Sequence, residues 1–240
     1  MEKTYSNSFY NNRHSNTIYS AQTVCKLVKD LIEPNSVVDI GCGVGTWLRV
    51  FQDSGVEEVF GVEGEWVDKS MAVIAQEDFM KTNLENQLTL ERKFDLAISL
   101  EVAEHIHEHA ADQFVENIVN LAPVVLFSAA IPLQGGKHHV NEQWPVYWRE
   151  KFAQHNYVII DCIRPHIWED TKVEMWYAQN TFIYADKNKL DEYPKLKANY
   201  VENPMMLEVV LPRFYEFKLK RWPFMKALKN RVKRAMNIPY

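Results

Sequence analysis

The sequence predicts an α/β fold in which a mostly parallel sheet carries helices on both faces. Three features predict it. Short β-branched runs alternate with stretches of helical periodicity, a glycine-rich turn closes the first of those runs, and apolar residues are plentiful enough to cover a sheet twice. Of 240 residues, 47% are hydrophobic and 12% aromatic, which excludes a disordered chain and suits one domain with an appendage.

Taken in order, Ile18, Ala21, Val24, Cys25, Val28, Leu31 and Ile32 recur at helical spacing, and Pro34 ends that helix. SVVDI (36–40) reads as a buried strand running into glycines, and TWLRVFQDSG (46–55) as a helix stopped at Gly55. EEVFGVEG (57–64) is a second strand and MAVIA (71–75) a weaker third. FDLAISL (94–100) is the fourth, leading into a helix with Val102, Ile106, Ala110, Phe114, Ile118 and Leu121 on one stripe. APVVLFSA (122–129) is the fifth strand, 148–155 a further helix, and YVIIDCI (157–163) and NTFIYAD (180–186) the last two strands. No clear helix separates that last pair, so it is expected to be antiparallel, whereas the alternation elsewhere implies crossovers and parallel pairing. Pro204 and Pro212 bracket an expected linker.

Charge divides the chain. From Arg213 onward there are nine Lys or Arg and one acid (+8), so the other 212 residues, with 18 basic and 31 acidic side chains, carry −13. In the tail, Phe224, Met225, Leu228, Val232, Ala235 and Met236 form an apolar stripe flanked by Lys226, Lys229, Arg231, Lys233 and Arg234. Residues 213–236 therefore read as a basic amphipathic helix that rests on an anionic membrane, on a partner, or on the acidic body itself. The acidic body argues against nucleic acid as a partner. Cys25, Cys42 and Cys162 fit no metal or disulfide pattern, and the polar N-terminus lacks the apolar centre of a signal peptide, so a cytoplasmic protein is expected.

The most informative stretch is VVDIGCGVGTW (37–47), a strand ending in Asp39 followed by Gly41, Gly43 and Gly45. Such a loop lets a ligand approach backbone at the carboxyl end of the first strand. Thr46 stands where the dinucleotide fingerprint requires glycine, and no Gly-Lys-Ser/Thr follows, so neither a pyrophosphate nor a phosphate cradle is indicated. An acidic residue beside the glycines suits a cationic ligand, and Glu63, ending the second strand, suits ribose hydroxyls.

DIGCGVGT, Glu63 and FDLAISLEVAEHI (94–106) together resemble class I S-adenosylmethionine-dependent methyltransferases over roughly residues 1–186. The resemblance implies a Rossmann-like fold whose seven-stranded, mostly parallel sheet has its last strand antiparallel. It divides the chain into a helical cap over the cofactor (1–35), the core (36–186) and a C-terminal extension (187–240). It further implies that Asp39, Gly41, Cys42 and Gly43 face the methionine half of S-adenosylmethionine, that Glu63 holds the ribose, and that Leu100 and Glu101 line the methionine end. Glu101 also reads as a plain first-turn helix acid. Asn83 falls where many members place an Asp near the adenine. Tyr10 and Arg13 lie in the segment that closes over the cofactor, where surface placement is an equal alternative.

A second cluster lies in GKHHVNEQWP (136–145). The segments SAAIP, GG and HVNEQW, with DCIRPHIW (161–168) and WYAQN (176–180), resemble small bacterial methyltransferases of capsule, surface-glycan or nucleotide-sugar biosynthesis. A hydroxyl nucleophile benefits from a base that titrates near neutrality, and histidine is one. His139 is the first candidate, with Glu142 or Asn141 orienting it or the acceptor. Capping of the loop is the structural alternative for His139 and Asn141. His105 is either a second base or a packed histidine. Arg164 and Gln179 are candidate acceptor contacts. His105 and His109 lie one turn apart, but His-Glu-x-x-His is not satisfied because Ile106 stands where Glu is needed, so no metal is expected. The expected activity is O-methylation of a small glycan-precursor or nucleotide-linked acceptor. N-methylation of an amine, or a non-catalytic scaffold docking through the basic tail, are the alternatives.

Overall fold

The computed structural model describes residues 7–65, 67–204, 206–221 and 231 and, of these, the side chains other than those of 7–16, 69 and 221. The expected tail helix therefore lies largely outside the described residues, as do the side chains of Tyr10 and Arg13. No helix of the described residues is long and apolar enough to cross a membrane.

Helix α1 (Asn7–Ile32) leads into β1 (Ser36–Ile40), α2 (Thr46–Asp53), β2 (Glu58–Glu63) and β3 (Phe79–Lys81). Then follow β4 (Leu96–Leu100), α3 (Ala111–Val119), β5 (Val124–Ser128) and α4 (Pro145–Ala153). After β6 (Tyr157–Ile160) come the short helices α5 (Arg164–Ile167) and α6 (Met175–Asn180), then β7 (Phe182–Asp186), α7 (Pro194–Asn199) and α8 (Pro212–Arg221). The seven strands form one sheet in the order β3-β2-β1-β4-β5-β7-β6. All neighbours are parallel except β7, which is antiparallel to both β5 and β6.

Both faces are buried because the strands are apolar at consecutive positions. Val37, Leu96, Ile98, Val124 and Leu126 face Ala21, Val24 and Val28 of α1 and Leu48 and Phe51 of α2. Their alternates Val38, Ala97, Val125 and Phe127 face Phe114 and Ile118 of α3 and Trp148 and Phe152 of α4. Period-two alternation on a doubly covered sheet produces this division. Pro145 opens α4 at a position whose amide has no intrahelical partner. Cys25, Cys42 and Cys162 are buried and unpaired by disulfides.

Several local expectations are corrected. MAVIA (71–75) is no strand. The Val73 amide donates to the Val44 carbonyl (2.8 Å), and Ile74 packs beside Gly45 and Gly61, so its apolar character serves the glycine loop. The third strand is instead Phe79–Lys81. The stripe from Val102 to Leu121 is buried as expected, but α3 starts only at Ala111. Ile106 and His107 are extended between two 3-10 turns, where the His107 amide and ring both meet Glu85 Oε1. Two short helices, not a bare loop, join β6 to β7. The 204–212 stretch is no loose linker either, because Leu207 and Leu211 are buried.

Candidate active site

Strand order reverses between β1 and β4, and in open parallel sheets the crevice at the carboxyl ends of such a pair is where ligands bind. The glycine loop follows β1, Glu63 ends β2, Glu101 follows β4, and the histidine loop follows β5.

The glycine loop is tied down by Gly41 and Cys42 amides donating to the Val62 carbonyl (2.8 and 3.2 Å). Its glycines have different reasons. A Cβ on Gly41, at φ +90°, would sit 2.4 Å from a Val102 methyl, so this residue lets the loop pack on the segment after β4. A Cβ on Gly43, at φ +58°, would meet nothing within 4 Å. Gly43 therefore presents bare backbone to open space, as a ligand-facing residue should.

Two acids lie beside it. Glu63 turns toward the loop, its Oε2 accepting from the Gly43 amide (2.6 Å) and its Oε1 from the Gly64 amide (2.8 Å). Burial pushes its carboxyl up, while those two amides and Lys81 pull it back. Asp39 is 3% exposed, and burial together with the Glu63 charge holds its carboxyl well above the ordinary range. Burial and the same two acids push the Cys42 thiol up, which keeps it protonated and inert. A buried acid bonded to an open backbone position, with a second buried acid close enough to feel its charge, favours a ligand that brings positive charge and hydroxyl donors. A sulfonium and ammonium compound with a ribose fits that demand.

Asn83 is exposed, two residues past β3, and its Oδ1 accepts from the Glu85 amide (3.0 Å), closing a turn. Leu100 is buried at the end of β4. Glu101 differs from the expected helix acid, for it has φ +56° and is buried. Its Oε2 accepts from Gln134 Nε2 (2.6 Å) and its Oε1 from Asn180 Nδ2 (3.0 Å), which also reaches Gln134 Oε1 (2.9 Å). Gln134 and Asn180 went unrecognised in the sequence. Their separation from Glu101 leaves no local signal, although WYAQN ends in Asn180.

The histidine loop brings together four of the expected residues. His139 Nδ1 lies 2.7 Å from Glu142 Oε1, and the His139 ring stands edge-on to His105 with centroids 4.9 Å apart. His105 Nδ1 lies 3.1 Å from the His138 carbonyl. The Val140 and Asn141 amides donate to the Glu104 carbonyl (2.9 and 3.0 Å), fastening the loop over the segment after β4. Asn141 is 3% exposed, accepts from Gln143 Nε2 (3.0 Å), and keeps its Nδ2 buried without a hydrogen-bond partner among the described residues.

Arg164 and Gln179 both bond within the chain. Arg164 forms a fork with Asp161 (3.0 and 2.5 Å), lies over the Phe182 ring and donates to the Leu207 carbonyl (3.1 Å). Gln179 donates to the Val209 carbonyl (2.7 Å) and accepts from the Leu211 amide (2.5 Å). Arg164 is thus held by Asp161 and, with Gln179, by backbone of the 206–211 segment.

A family model described as a methyltransferase domain matches residues 13–163, well over half of the chain. No curated protein matches. Among solved structures, the O-methyltransferase NcsB1 from neocarzinostatin biosynthesis, in complex with S-adenosyl-L-homocysteine and 1,4-dihydroxy-2-naphthoic acid, aligns with TM-score 0.51 and 14% identity over 66% of this chain and 54% of its own. The plantazolicin methyltransferase BpumL, with S-adenosylhomocysteine and a pentazolic desmethyl analogue, aligns with TM-score 0.52 and 12% identity over 75% and 89%. A chain from the Haloferax volcanii complex between the Trm112 methyltransferase activator and a methyltransferase aligns with TM-score 0.54 and 15% identity over 75% and 94%. The chain spans little more than half the length of NcsB1 and of the mitomycin 7-O-methyltransferase MmcR. At these identities the likeness is one of fold. The family match takes in the glycine loop, Glu63, Glu101 and His139 with strands β1 to β6, and the chain therefore belongs to the methyltransferase domain family.

Proposed function

We propose that the chain methylates a hydroxyl oxygen of a small glycan-precursor or nucleotide-linked acceptor of the kind used to build bacterial capsule and surface polysaccharide, with His139 taking the acceptor's proton. The observation that carries this reading is the His139–Glu142 pair, mounted after β5 on the same edge of the sheet as the glycine loop. The acceptor class rests on the likeness of the 128–144, 161–168 and 176–180 segments to methyltransferases of glycan biosynthesis. Two of the structural relatives are named as O-methyltransferases, which is consistent with an oxygen nucleophile.

When bound, S-adenosylmethionine supplies an electrophilic methyl on a positively charged sulfur. Asp39 and the bare Gly43 backbone would hold its methionine half, and Glu63 would hold its ribose. Beside it, the Glu142 carboxylate accepts a hydrogen bond from His139 Nδ1–H, which fixes the tautomer and leaves the Nε2 lone pair free to take a proton. The resulting imidazolium is stabilised by Glu142, as in other histidine–carboxylate pairs. The unsatisfied Asn141 Nδ2 offers a donor to an acceptor oxygen. The remaining work is alignment of the hydroxyl with the methyl carbon.

The test is mass spectrometry of candidate sugar nucleotides incubated with the full chain and S-adenosylmethionine. The expected product carries one added O-methyl group. His139→Ala is expected to lower kcat about 100-fold or more without changing the affinity for S-adenosylhomocysteine. Methylation on nitrogen, or an unchanged kcat in the variant, would overturn the reading.

A further inference from the structure

Glu104, His105 and His139 each offer a ligand atom, and those atoms all lie within 4.8 Å of one another. His139 Nε2 is 3.8 Å from Glu104 Oε1. From this geometry we infer that the three side chains form a binding site for a first-row divalent cation at the acceptor end of the crevice. The inference rests on the reading above for the acceptor and, in the cation-loaded protein, places His139 among the ligands in place of its role as the base. The cation site stands on the cluster itself.

The tautomers are set for ligation. A carbonyl only accepts, so His105 Nδ1 must be the protonated nitrogen in its 3.1 Å bond to the His138 carbonyl. A carboxylate likewise only accepts, so His139 Nδ1 donates to Glu142. Both neutral rings then carry their lone pair on Nε2. A histidine whose Nδ1 is held by a carboxylate or a backbone carbonyl is the usual arrangement around protein-bound metals. Glu104 is 1% exposed, and a carboxylate buried that deeply favours positive charge beside it.

Gly136 backs the His139 ring. Its φ is not in the left-handed region, so the backbone does not demand glycine there. A Cβ at this position would sit 2.0 Å from His139 Nε2. The same Cβ would lie 2.5 Å from both Cδ2 and Cε1, so it would press on the face of the ring, and glycine here lets the loop backbone pack against the His139 imidazole. Two imidazoles and one carboxylate, with positions left open, suit zinc, iron or manganese better than calcium. Tetrahedral ligation puts donor atoms about 3.3 Å apart, so the cluster closes by at most about 1.5 Å on loading. A cation on Nε2 takes the lone pair assigned above to the acceptor's proton. In the loaded state the acceptor hydroxyl binds the cation at an open position and is acidified by it, its proton leaving to water, while His139 acts as a ligand.

The test is calorimetric titration of the chelator-stripped, full-length protein with ZnCl2 and with MnCl2, alongside titration with S-adenosylhomocysteine. We expect one cation per chain, bound at least tenfold more weakly by Glu104→Gln, His105→Ala and His139→Ala, and unchanged in His107→Ala, which removes an exposed histidine of the neighbouring turn. The visible spectrum of the Co2+-loaded protein is expected to lose its ligand-field bands in the same three variants. Each variant is scored with its circular dichroism, which is expected to match the wild type. Absence of binding, or binding lost in His107→Ala and kept in the cluster variants, overturns the site. S-adenosylhomocysteine binding without cation binding rejects the cation alone. Cation binding without S-adenosylhomocysteine binding keeps the site and rejects the methyl-transfer reading.

Discussion

Two substitutions in one loop, Gly41→Ala and Gly43→Ala, should have different consequences. Both residues have positive φ, +90° and +58°, so an L side chain costs each about 1–2 kcal/mol. At Gly41 the new methyl would also lie 2.4 and 2.6 Å from the two Val102 methyls, an overpacking worth about 1–3 kcal/mol more. The sum is about 2–5 kcal/mol, which for a chain of this length lowers Tm by about 4–20 °C at roughly 2–4 °C per kcal/mol. At Gly43 nothing lies within 4 Å of the added methyl, so only the backbone cost remains and Tm falls by about 2–8 °C. The same methyl projects into the space assigned to the cofactor, so S-adenosylhomocysteine should bind Gly43→Ala at least tenfold more weakly, a loss of about 1.4 kcal/mol or more. Scanning calorimetry and isothermal titration on both variants are the assays. If Gly43→Ala binds S-adenosylhomocysteine like the wild type, the space beside that residue is not the cofactor's and the assignment of the loop is wrong.

Three further outcomes follow from the buried polar groups. The Asp39 carboxyl is raised above its ordinary value of 3.8, so between that value and the raised one the folded chain binds a proton that the unfolded chain has released. Its stabilising contribution is therefore complete below the unfolded value and is lost as pH rises through the folded value. Asp39→Asn should make the ligand-free protein more stable than wild type at neutral pH, abolish that part of the pH dependence in thermal melts, and weaken S-adenosylhomocysteine binding. A variant less stable than wild type at every pH would contradict this. Glu101→Ala strips acceptors from the buried Gln134 and Asn180 amides and should destabilise by about 2–5 kcal/mol, whereas Glu101→Gln, which keeps one carbonyl acceptor, should cost less in urea denaturation. Arg164→Met leaves the Leu207 carbonyl and Asp161 without their partner and should cost about 3 kcal/mol while leaving S-adenosylhomocysteine affinity unchanged. A lowered affinity would reopen a ligand role for Arg164.

The parts of this molecule legible in its sequence are those written locally. The runs 36–40, 58–63, 96–100 and 124–128 announce themselves as strands because each is apolar on both faces, and Gly43 follows the first by three residues while Glu63 is the last residue of the second. MAVIA misled because apolar residues that cover a glycine loop look the same, in sequence, as apolar residues in a ladder. The true third strand, Phe79–Lys81, is too short to show a period. The stripe after β4 has helical spacing, yet Glu85 holds His107 and its neighbour in extended backbone, a contact across more than twenty residues that spacing does not encode. The same limit hid Gln134 and Asn180 beneath Glu101, and Glu104 beside His139, since each pairing is made only when two strand ends are brought together. The bonds of Arg164 and Gln179 to backbone groups at 206–211 carry no sequence signal of their own, whereas the Arg164–Asp161 fork, three residues apart, is local.

The account rests on a carboxylate at the end of β2 that grips a ribose across the glycine loop. Isothermal titration of the full-length chain with S-adenosylhomocysteine, for wild type and Glu63→Gln, tests it most directly. One site per chain, weakened at least tenfold by the substitution, is the predicted result. A wild-type protein that takes up no S-adenosylhomocysteine, or a Glu63→Gln variant that binds it equally well, would contradict it.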